Sequence, residues 1–328
     1  MTRRTAEWTL QSRSLKEGHI MNSACSPHPQ TALARASLFL AMMVAAIACL
    51  AQIAGVVMAQ EGEVPQTEFA TFDRNKFSRS TNVDNKWFPL KPGMQYVYMG
   101  FTTEDTKRVP HRFVMIVTDL TKVIDGVRTV VVWDVDFRNG NLAETELAFF
   151  AQDDDGNVWL MGEYPEEYED GKIAKVPAWL AGIRNSKAGL AMPAEPERQR
   201  AAYAQGWAPA VNWTDRAKVD QMGQKDCVPA GCYEDVLVIA ESSTEEGPEA
   251  EQLKYYAPGV GLARVGWRGK GERLQENLEL VEFRQLSSEA IANARAKALE
   301  LEQRAYKISK KVYGRTPPAE HIPGTKRQ

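Results

Sequence analysis

The sequence predicts a mainly β protein, in which an antiparallel meander forms a curved sheet or partial barrel and one α-helix follows at the C-terminus. Runs rich in β-branched and aromatic residues are separated by turn signals such as Asp125-Gly126 and Asn139-Gly140. These signals recur at roughly a dozen residues, which is the spacing of an antiparallel meander. After residue 287 the apolar residues instead repeat at three- and four-residue spacings, which predicts the helix.

The N-terminal region predicts export. Residues 36–59 contain no charged residue, follow Arg35, and end in Val57-Met58-Ala59, the small-residue pattern of a signal-peptidase site. We therefore interpret residues 1–59 as an N-terminal extension and signal peptide cleaved near Ala59, which gives a periplasmic or secreted protein. The alternative is a membrane anchor through residues 36–59, because about 20 apolar residues can span a bilayer.

Removing residues 1–59 takes away five basic and two acidic residues and leaves 35 basic and 41 acidic residues. Because no basic arm or stripe is visible, nucleic acid is excluded as a partner. The remaining cysteines, Cys227 and Cys232, lie in DCVPAGCY, where a disulfide across a hairpin loop is predicted. The alternative is half of a metal site, but no other Cys or His lies nearby in the sequence.

Residues 60–85 are polar and predict a linker or N-terminal arm. The antiparallel β domain is predicted over residues 86–286, with ten or eleven strands. Residues 180–212 are rich in Ala, Gly and Pro and predict a long excursion with a short helix. Excursions of this length in a compact domain are often functional or cover a cavity.

The C-terminal helix is predicted over residues 287–314, because Ser287-Ser288 supplies an N-cap and Gly314 a C-terminal glycine. Its apolar stripe comprises Ile291, Ala294, Ala298, Leu301, Ala305, Ile308 and Val312. The stripe predicts a helix packed on the sheet. The alternative is association with a second helix, since the repeat is close to the coiled-coil period. In that case the partner would be an envelope protein. Residues 315–328 are predicted to be a disordered tail.

Several catalytic signatures are absent from the sequence. Gly259-Val260-Gly261 begins like a dinucleotide fingerprint, but Arg264 occupies the position of the third glycine and strand-like sequence follows. Beyond residue 59 the chain has two histidines, of which His321 lies in the predicted tail and His111 heads a strand as an expected surface residue. We predict no catalytic residue, no metal site and no cofactor.

Acidic clusters support the main alternative to a non-enzymatic protein, which is a hydrolase. Glu163, Glu166, Glu167, Glu169 and Asp170 lie in GEYPEEYEDGK and are predicted to form a solvated loop. A carboxylate-based hydrolase acting on an envelope polysaccharide would instead need two carboxylates from different strands converging in a cleft, one with a raised pKa.

The run AQDDDGNVWLMGEY is predicted to be a hairpin turn at Asp155-Gly156. An EF-hand loop with Gly156 at position 6 would place Ala151 at position 1 and Gly162 at position 12, where oxygen ligands are required. Glycine at a turn tip is favoured because it tolerates positive φ. The three aspartates are expected to keep that edge of the sheet soluble.

Aromatic residues and methionine on the strands predict a binding surface. Trp133 and Phe137 alternate with Asp134 and Asp136, while both faces of the strand after residue 157 carry apolar groups. A sheet that is apolar on both faces is either covered on both or encloses a ligand. If the sheet binds a lipid or another apolar ligand, the predicted binding residues are Trp133, Phe137, Trp159, Met161 and Tyr255.

The motifs NKWFPLKPG, TKVIDGV, AQDDDGNVWLMGE and KYYAPGVGL, in this order, resemble a family of exported bacterial β-rich proteins of unknown function. The resemblance covers roughly residues 85–283 and implies a strand-rich exported protein with no assigned activity or catalytic residue. A looser similarity of fold links such proteins to half-barrel lipoprotein carriers, and fold alone does not establish function.

The sequence thus favours an exported, non-enzymatic protein that binds an apolar or amphipathic ligand or an envelope partner. The hydrolase and an interaction module that docks through the C-terminal helix are the two alternatives.

Overall fold

The structure is a computed structural model that describes residues 69–104, 106–198, 200–243, 247–271 and 275–322. The predicted signal peptide, its cleavage near Ala59 and the alternative anchor lie outside the described residues. Within the described ranges, no helix is both long and apolar enough to cross a membrane.

The first half of the sheet consists of long hairpins. Their strands are β1 Met94–Glu104, β2 Lys107–Ile124, β3 Val127–Arg138, β4 Asn141–Gln152 and β5 Val158–Glu169. Positive φ at Asp125 and Asn139, with glycine next in each case, shows that these turns have the backbone that the dipeptides favour.

Short strands follow β5, and the later ones lie within the predicted excursion over residues 180–212. They are β6 Lys172–Lys175, β7 Trp179–Leu180, β8 Lys187–Met192, β9 Tyr203–Ala204 and β10 Gly206–Trp207. The described part of the excursion contains a 3₁₀ turn at Pro209–Val211 and no α-helix, in contrast to the short helix that we expected.

The second half is again made of long strands. They are β11 Asp215–Val228, β12 Gly231–Ser243, β13 Glu251–Ala257, β14 Gly261–Arg268 and β15 Asn277–Gln285. Cys227 and Cys232 face each other across the β11–β12 turn and form the predicted disulfide, with their Cα atoms 4.0 Å apart.

All strands belong to one antiparallel, nearly closed sheet, which confirms the predicted fold class. Its order is β10-β8-β5-β4-β3-β2-β1-β15-β14-β13-β12-β11-β9. The edge strands β9 and β10 are separated only by Gln205. Since β9 pairs with β11 and β10 pairs with β8, residues 203–207 join the two edges of the sheet.

The N-terminal segment, described from residue 69 onwards, forms an arm that packs against the sheet. Val83 and Leu90 form an isolated bridge, and both are buried with Trp87. The Asn85 side chain accepts hydrogen bonds from the backbone N–H groups of Trp87 and Phe88, which fixes the turn that leads into β1.

The C-terminal helix α1 (Ser288–Ile308) begins with the predicted cap, because the backbone N–H of Ala290 donates to Ser287 Oγ. The helix breaks at Ser309, and a short α2 (Lys310–Tyr313) follows. Most of the apolar stripe is buried, but Ile308 is 49% exposed. The stripe therefore packs on the protein's own sheet.

The predicted disordered tail requires correction. After α2, the chain forms strand β16 (Glu320–His321), which pairs with Thr121 and Leu120 of β2. This strand was missed because two residues between prolines and polar residues carry no periodic signal. Residues 323–328 lie outside the described residues.

Candidate functional site

The inward faces of the strands change from apolar to charged along the axis of the sheet. On β2 the successive inward residues are Met115, Phe113 and His111. On β13 they are Tyr256, Lys254 and Gln252. The same change in polarity on separate strands gives the interior an aromatic end and a charged end.

A cavity of about 240 Å³ spans this change. Its apolar lining comprises Phe88, Pro89, Leu90, Tyr96, Phe113, Met115, Tyr256, Val260, Gly261, Leu262, Val265 and Leu278. Its polar lining comprises His111, Asp134, Asp136, Gln252, Lys254 and Glu276. Such a mainly apolar cavity with a few convergent polar groups is typical of a small-molecule site.

Carboxylates stand in pairs at the charged end. Asp134 lies directly opposite Glu146 across the β3–β4 ladder, and Asp136 lies opposite Glu144. Like charges in directly opposed positions destabilise a sheet, so the arrangement needs protons or positive charge to offset it. Lys254 supplies part of this charge through an ion pair with Glu241 at 2.5 Å.

The carboxyl pKa values reflect this environment. Burial, and then the nearby Asp136, raise the pKa of Glu144 to about 8. Burial also raises the pKa of Glu163 to about 7, although a hydrogen bond from Trp179 opposes the shift. The pKa values of Asp134 and Glu146 are raised by burial and by neighbouring carboxylates.

His111 is buried, at 2% exposure, and the expectation of a surface histidine is wrong. It was misplaced because Pro110 suggested a strand end, whereas β2 begins at Lys107 and turns His111 inward. His111 Nε2 lies 2.9 Å from Asp136, and Nδ1 lies 3.8 Å from Glu276 Oε1. These three residues come from separate parts of the chain and form a group that could hold a metal ion.

The five residues of the predicted binding surface lie in different places. Trp133 and Phe137 face a groove between the outer face of the sheet and α1. Trp159 and Met161 are buried in the core, where the Trp159 ring contacts Phe72. Tyr255 packs with Val238, Ala240 and Leu253 on the face of β13 opposite Lys254. The structure thus brings Trp133 and Phe137 together in the groove, whereas Trp159, Met161 and Tyr255 lie outside it.

The groove beside α1 has a volume of about 660 Å³. Val114, Ile116 and Val135 form part of its floor. Several cations on its rim are already paired: Arg284 with Glu282, Lys297 with Glu300, and Arg304 with Glu166.

The cluster GEYPEEYEDGK is mostly strand rather than the predicted solvated loop, because β5 continues to Glu169. Glu163 accepts a hydrogen bond from Trp179 Nε1 at 2.9 Å. Glu166, on the other face, is fully buried and pairs with Arg304 of α1. Carboxylates from different strands therefore converge in the interior, and Glu163 has a raised pKa. Glu163 does not line the cavity formed by the described residues, but Asp136 of β3 and Glu276, next to β15, do, and burial raises the pKa of Glu276. The pair of carboxylates that the hydrolase needs is therefore present, and the hydrolase stays an alternative.

The aspartate run forms the predicted turn between β4 and β5, with Gly156 at φ +92°. The expected solubilising role is wrong for Asp153, which is 6% exposed and accepts a hydrogen bond from Trp159 Nε1. Asp154 accepts hydrogen bonds from Ser78, and Asp155 pairs with Lys76. The turn therefore fastens the N-terminal arm.

Sequence analysis missed the charged end of the cavity. The alternation of Asp134 and Asp136 with apolar residues was a usable signal, since one face of β3 had to be charged. Nothing in the local sequence indicates that Lys254 and Glu276 meet them, because that contact depends on curvature of the whole sheet.

No protein-family model matches the chain, and no curated protein matches it. Among solved structures, the chain is similar to a Bacteroides fragilis protein described as a "putative exported protein with YMCC-like fold", with 15% identity and a TM-score of 0.37. It is also similar to a protein of Parabacteroides distasonis described as a "putative lipoprotein", with 14% identity and a TM-score of 0.36. Each match covers 61% of this chain and 99% of the other.

Proposed function

We propose that this protein is exported and binds a small amphipathic molecule inside its sheet, with the apolar body at the aromatic end and a positively charged head at the acidic end. The observation that carries the proposal is the change in the cavity lining from apolar to charged.

The apolar end supplies the main driving force. Tyr96, Phe113 and Tyr256 present aromatic surface to the cavity, and Leu262 and Leu278 add aliphatic surface. Burial of a methylene group contributes about 0.8 kcal/mol, so an octyl chain gains roughly 6 kcal/mol before the cost of association.

The charged end selects the head. The described inward carboxylates at and near this end include Asp134, Asp136, Glu144, Glu146, Glu163, Asp215, Glu241 and Glu276. Two cations, Lys254 and Arg138, also lie at this end, and Lys254 is paired with Glu241. Because burial and neighbouring carboxylates raise the pKa values of Asp134, Glu144 and Glu146, a cationic head stabilises their ionised form, whereas an anionic head disfavours it.

Export is supported by the uncharged run over residues 36–59 and by the disulfide, because disulfides persist in oxidising compartments.

Calorimetric titration at pH 7.5 with octylamine, octan-1-ol and octanoate tests the ligand class. The amine is protonated at this pH. We expect octylamine to bind most tightly and octanoate at least tenfold more weakly. Equal affinity for octylamine and octanoate would contradict the role of the acidic end.

A matched pair of variants tests the location. Leu262→Trp narrows the cavity and is expected to weaken octylamine binding at least tenfold. Val135→Trp places the same side chain in the outer groove and should leave the affinity unchanged. Thermal melting confirms that both variants are folded. Loss of binding in Val135→Trp alone would move the site to the groove.

A further inference from the structure

His111, Asp136 and Glu276 meet at one corner of the cavity. His111 lies on β2, Asp136 on β3, and Glu276 immediately before β15. One ligand atom from each residue lies within 4.8 Å of the others. Imidazole nitrogen with carboxylate oxygen is a donor set that divalent transition metals accept.

The buried imidazole points to a cation. A neutral imidazole donates from one nitrogen and accepts at the other. With Nε2–H donating to Asp136, the lone pair of Nδ1 is directed towards the region of Glu276 Oε1, 3.8 Å away. Nδ1 has no hydrogen-bond partner among the described residues, although His111 is 98% buried, at 2% exposure. In this tautomer, a cation between the two electron-rich atoms offsets their repulsion; in the other tautomer, the proton on Nδ1 faces Glu276 instead.

Other polar atoms at the same corner also lack hydrogen-bond partners among the described residues. They are Asp134 Oδ1 and Arg138 Nε, whereas both Asp136 oxygens lie 2.9 Å from His111 Nε2. Buried polar atoms are rarely left unpaired, so the concentration of such atoms at one corner indicates a site for a bound group.

The competing explanation is that Arg138 neutralises Asp136 and Glu276 as an internal counter-ion, with no metal bound. Its Nη2 lies 3.5 Å from Asp136 Oδ2 and 4.0 Å from Glu276 Oε1. Both separations exceed the usual length of a charge-assisted hydrogen bond. Gln252 donates to Glu276 Oε2 at 2.8 Å and leaves Oε1 directed towards His111. Arg138 therefore neutralises the corner incompletely.

We propose that His111, Asp136 and Glu276 bind a divalent transition-metal ion, with Zn²⁺ as the preferred ion. Asp136 exchanges its hydrogen bond with His111 Nε2 for a bond to the ion. Zinc bonds to nitrogen and oxygen are about 2.0–2.2 Å long, so two ligand atoms of a tetrahedral ion lie about 3.4 Å apart. The three ligand atoms now lie within 4.8 Å of one another, so the side chains must shift by about 1 Å to hold the ion. Three protein ligands leave a fourth position open towards the cavity. Mg²⁺ and Ca²⁺ prefer more oxygen ligands and bind more weakly here.

The site does not depend on the amphipathic ligand, so it is tested with the metal alone. The protein is purified without a polyhistidine tag, treated with chelator, and titrated with ZnCl₂ by calorimetry. We expect one Zn²⁺ per chain, and at least tenfold weaker binding of Mg²⁺ and Ca²⁺. Absence of stoichiometric Zn²⁺ binding would overturn the metal site and leave the amphiphile proposal standing.

Variants locate the ion. His111→Gln and Glu276→Gln are each expected to weaken Zn²⁺ binding at least tenfold. His321→Gln is the matched control, because His321 lies 3.1 Å from Asp119 but is 41% exposed at its side chain. Full loss in His321→Gln, with His111→Gln unaffected, would place the ion at the surface and overturn the proposal.

The Arg138→Gln variant distinguishes metal binding from neutralisation by Arg138. Because it removes a competing positive charge, we expect Zn²⁺ to bind several-fold more tightly to this variant. Weaker binding would contradict the proposed ligand set. The absorption spectrum of Co²⁺ bound to the wild-type protein reports nitrogen and oxygen ligation even if His111→Gln fails to fold.

Discussion

Glu163 shows how a single inward carboxyl controls the energetics of the interior. Its side chain projects from β5 among charged groups from several other strands: Glu146 of β4, Asp215 of β11, Glu241 of β12 and Lys254 of β13. Trp179 of β7 donates a hydrogen bond to it. Burial outweighs this hydrogen bond, and the pKa of Glu163 is raised to about 7 from an ordinary value of 4.5.

The raised pKa predicts how stability depends on pH. Between pH 4.5 and 7 the folded protein binds more protons at Glu163 than the unfolded chain does, so the free energy of unfolding falls as pH rises. One titrating group contributes up to about 1.4 kcal/mol per pH unit. Glu163→Gln should therefore be more stable than wild type by about 1–3 kcal/mol at pH 8, and closer to wild type at pH 5.

Urea unfolding at the two pH values measures this difference. Glu282→Gln is the control, because Glu282 is exposed. Parallel stability profiles for wild type and Glu163→Gln would show that Glu163 does not titrate in this range.

At the scale of elements, a buried lysine attaches α1 to the sheet. Lys122 of β2 is fully buried, and its Nζ donates to Glu302 Oε1 of α1 at 2.7 Å. It also donates to Tyr306 Oη at 3.0 Å and to the carbonyl of Pro317 at 2.6 Å. The backbone N–H of Ala319 donates to Glu302, which adds the chain leading into β16. One ion pair thus fixes the helix and the C-terminal strand.

Replacement of Lys122 by Met is expected to destabilise the protein by about 3–5 kcal/mol, because it leaves Glu302 buried without its partner. The double variant Lys122→Met with Glu302→Leu should recover a substantial part of this loss, since two apolar groups need no counter-charge. Chemical denaturation measures both values.

Lys297→Met is the control, because the Lys297–Glu300 pair is exposed and such pairs contribute at most about 1 kcal/mol. A double variant less stable than Lys122→Met alone would show that the ion pair does not act as a unit.

The elements differ in how far the sequence predicts them. Hairpins with Asp-Gly or Asn-Gly turns were predictable because the turn backbone requires those residues. The apolar stripe of α1 was predictable from its period. Lys122 was not identified, because the partners that make its burial tolerable lie about 180 residues away in the chain. The two-residue strands β9 and β10 leave no periodic pattern to recognise.

At the scale of the molecule, closure of the sheet creates the site. Alternation along β3 shows that Asp134 and Asp136 share a face, but the opposite face carries Trp133, Val135 and Phe137, which also needs cover. Local sequence cannot decide which face is inside, because the covering helix comes from residues 288–308 and the enclosing strands from residues 251–285. The proposed ligand binding depends on that enclosure, since the cavity lining comes from both halves of the sheet.

Gly189 provides a direct test of closure. A Cβ atom at this position would lie 2.4 Å from the backbone of Ala204, Gln205 and Gly206, where the two edges meet. Gly189→Ala must therefore separate β8 from residues 204–206. We expect a loss of roughly 2–3 kcal/mol in the free energy of unfolding, within the range for core overpacking.

Hydrogen exchange followed by mass spectrometry locates the effect. Exchange in Gly189→Ala should increase in β8, in residues 203–207 and at the start of β11, while the β1–β2 hairpin keeps its protection. Gly266→Ala is the matched control, because a Cβ at Gly266 meets nothing nearer than Tyr255 at 3.9 Å. Unchanged exchange at residues 203–207 would show that this junction does not hold the sheet closed. If closure does fail locally, octylamine binding should weaken with it, because the carboxylates and the aromatic wall would no longer enclose one ligand.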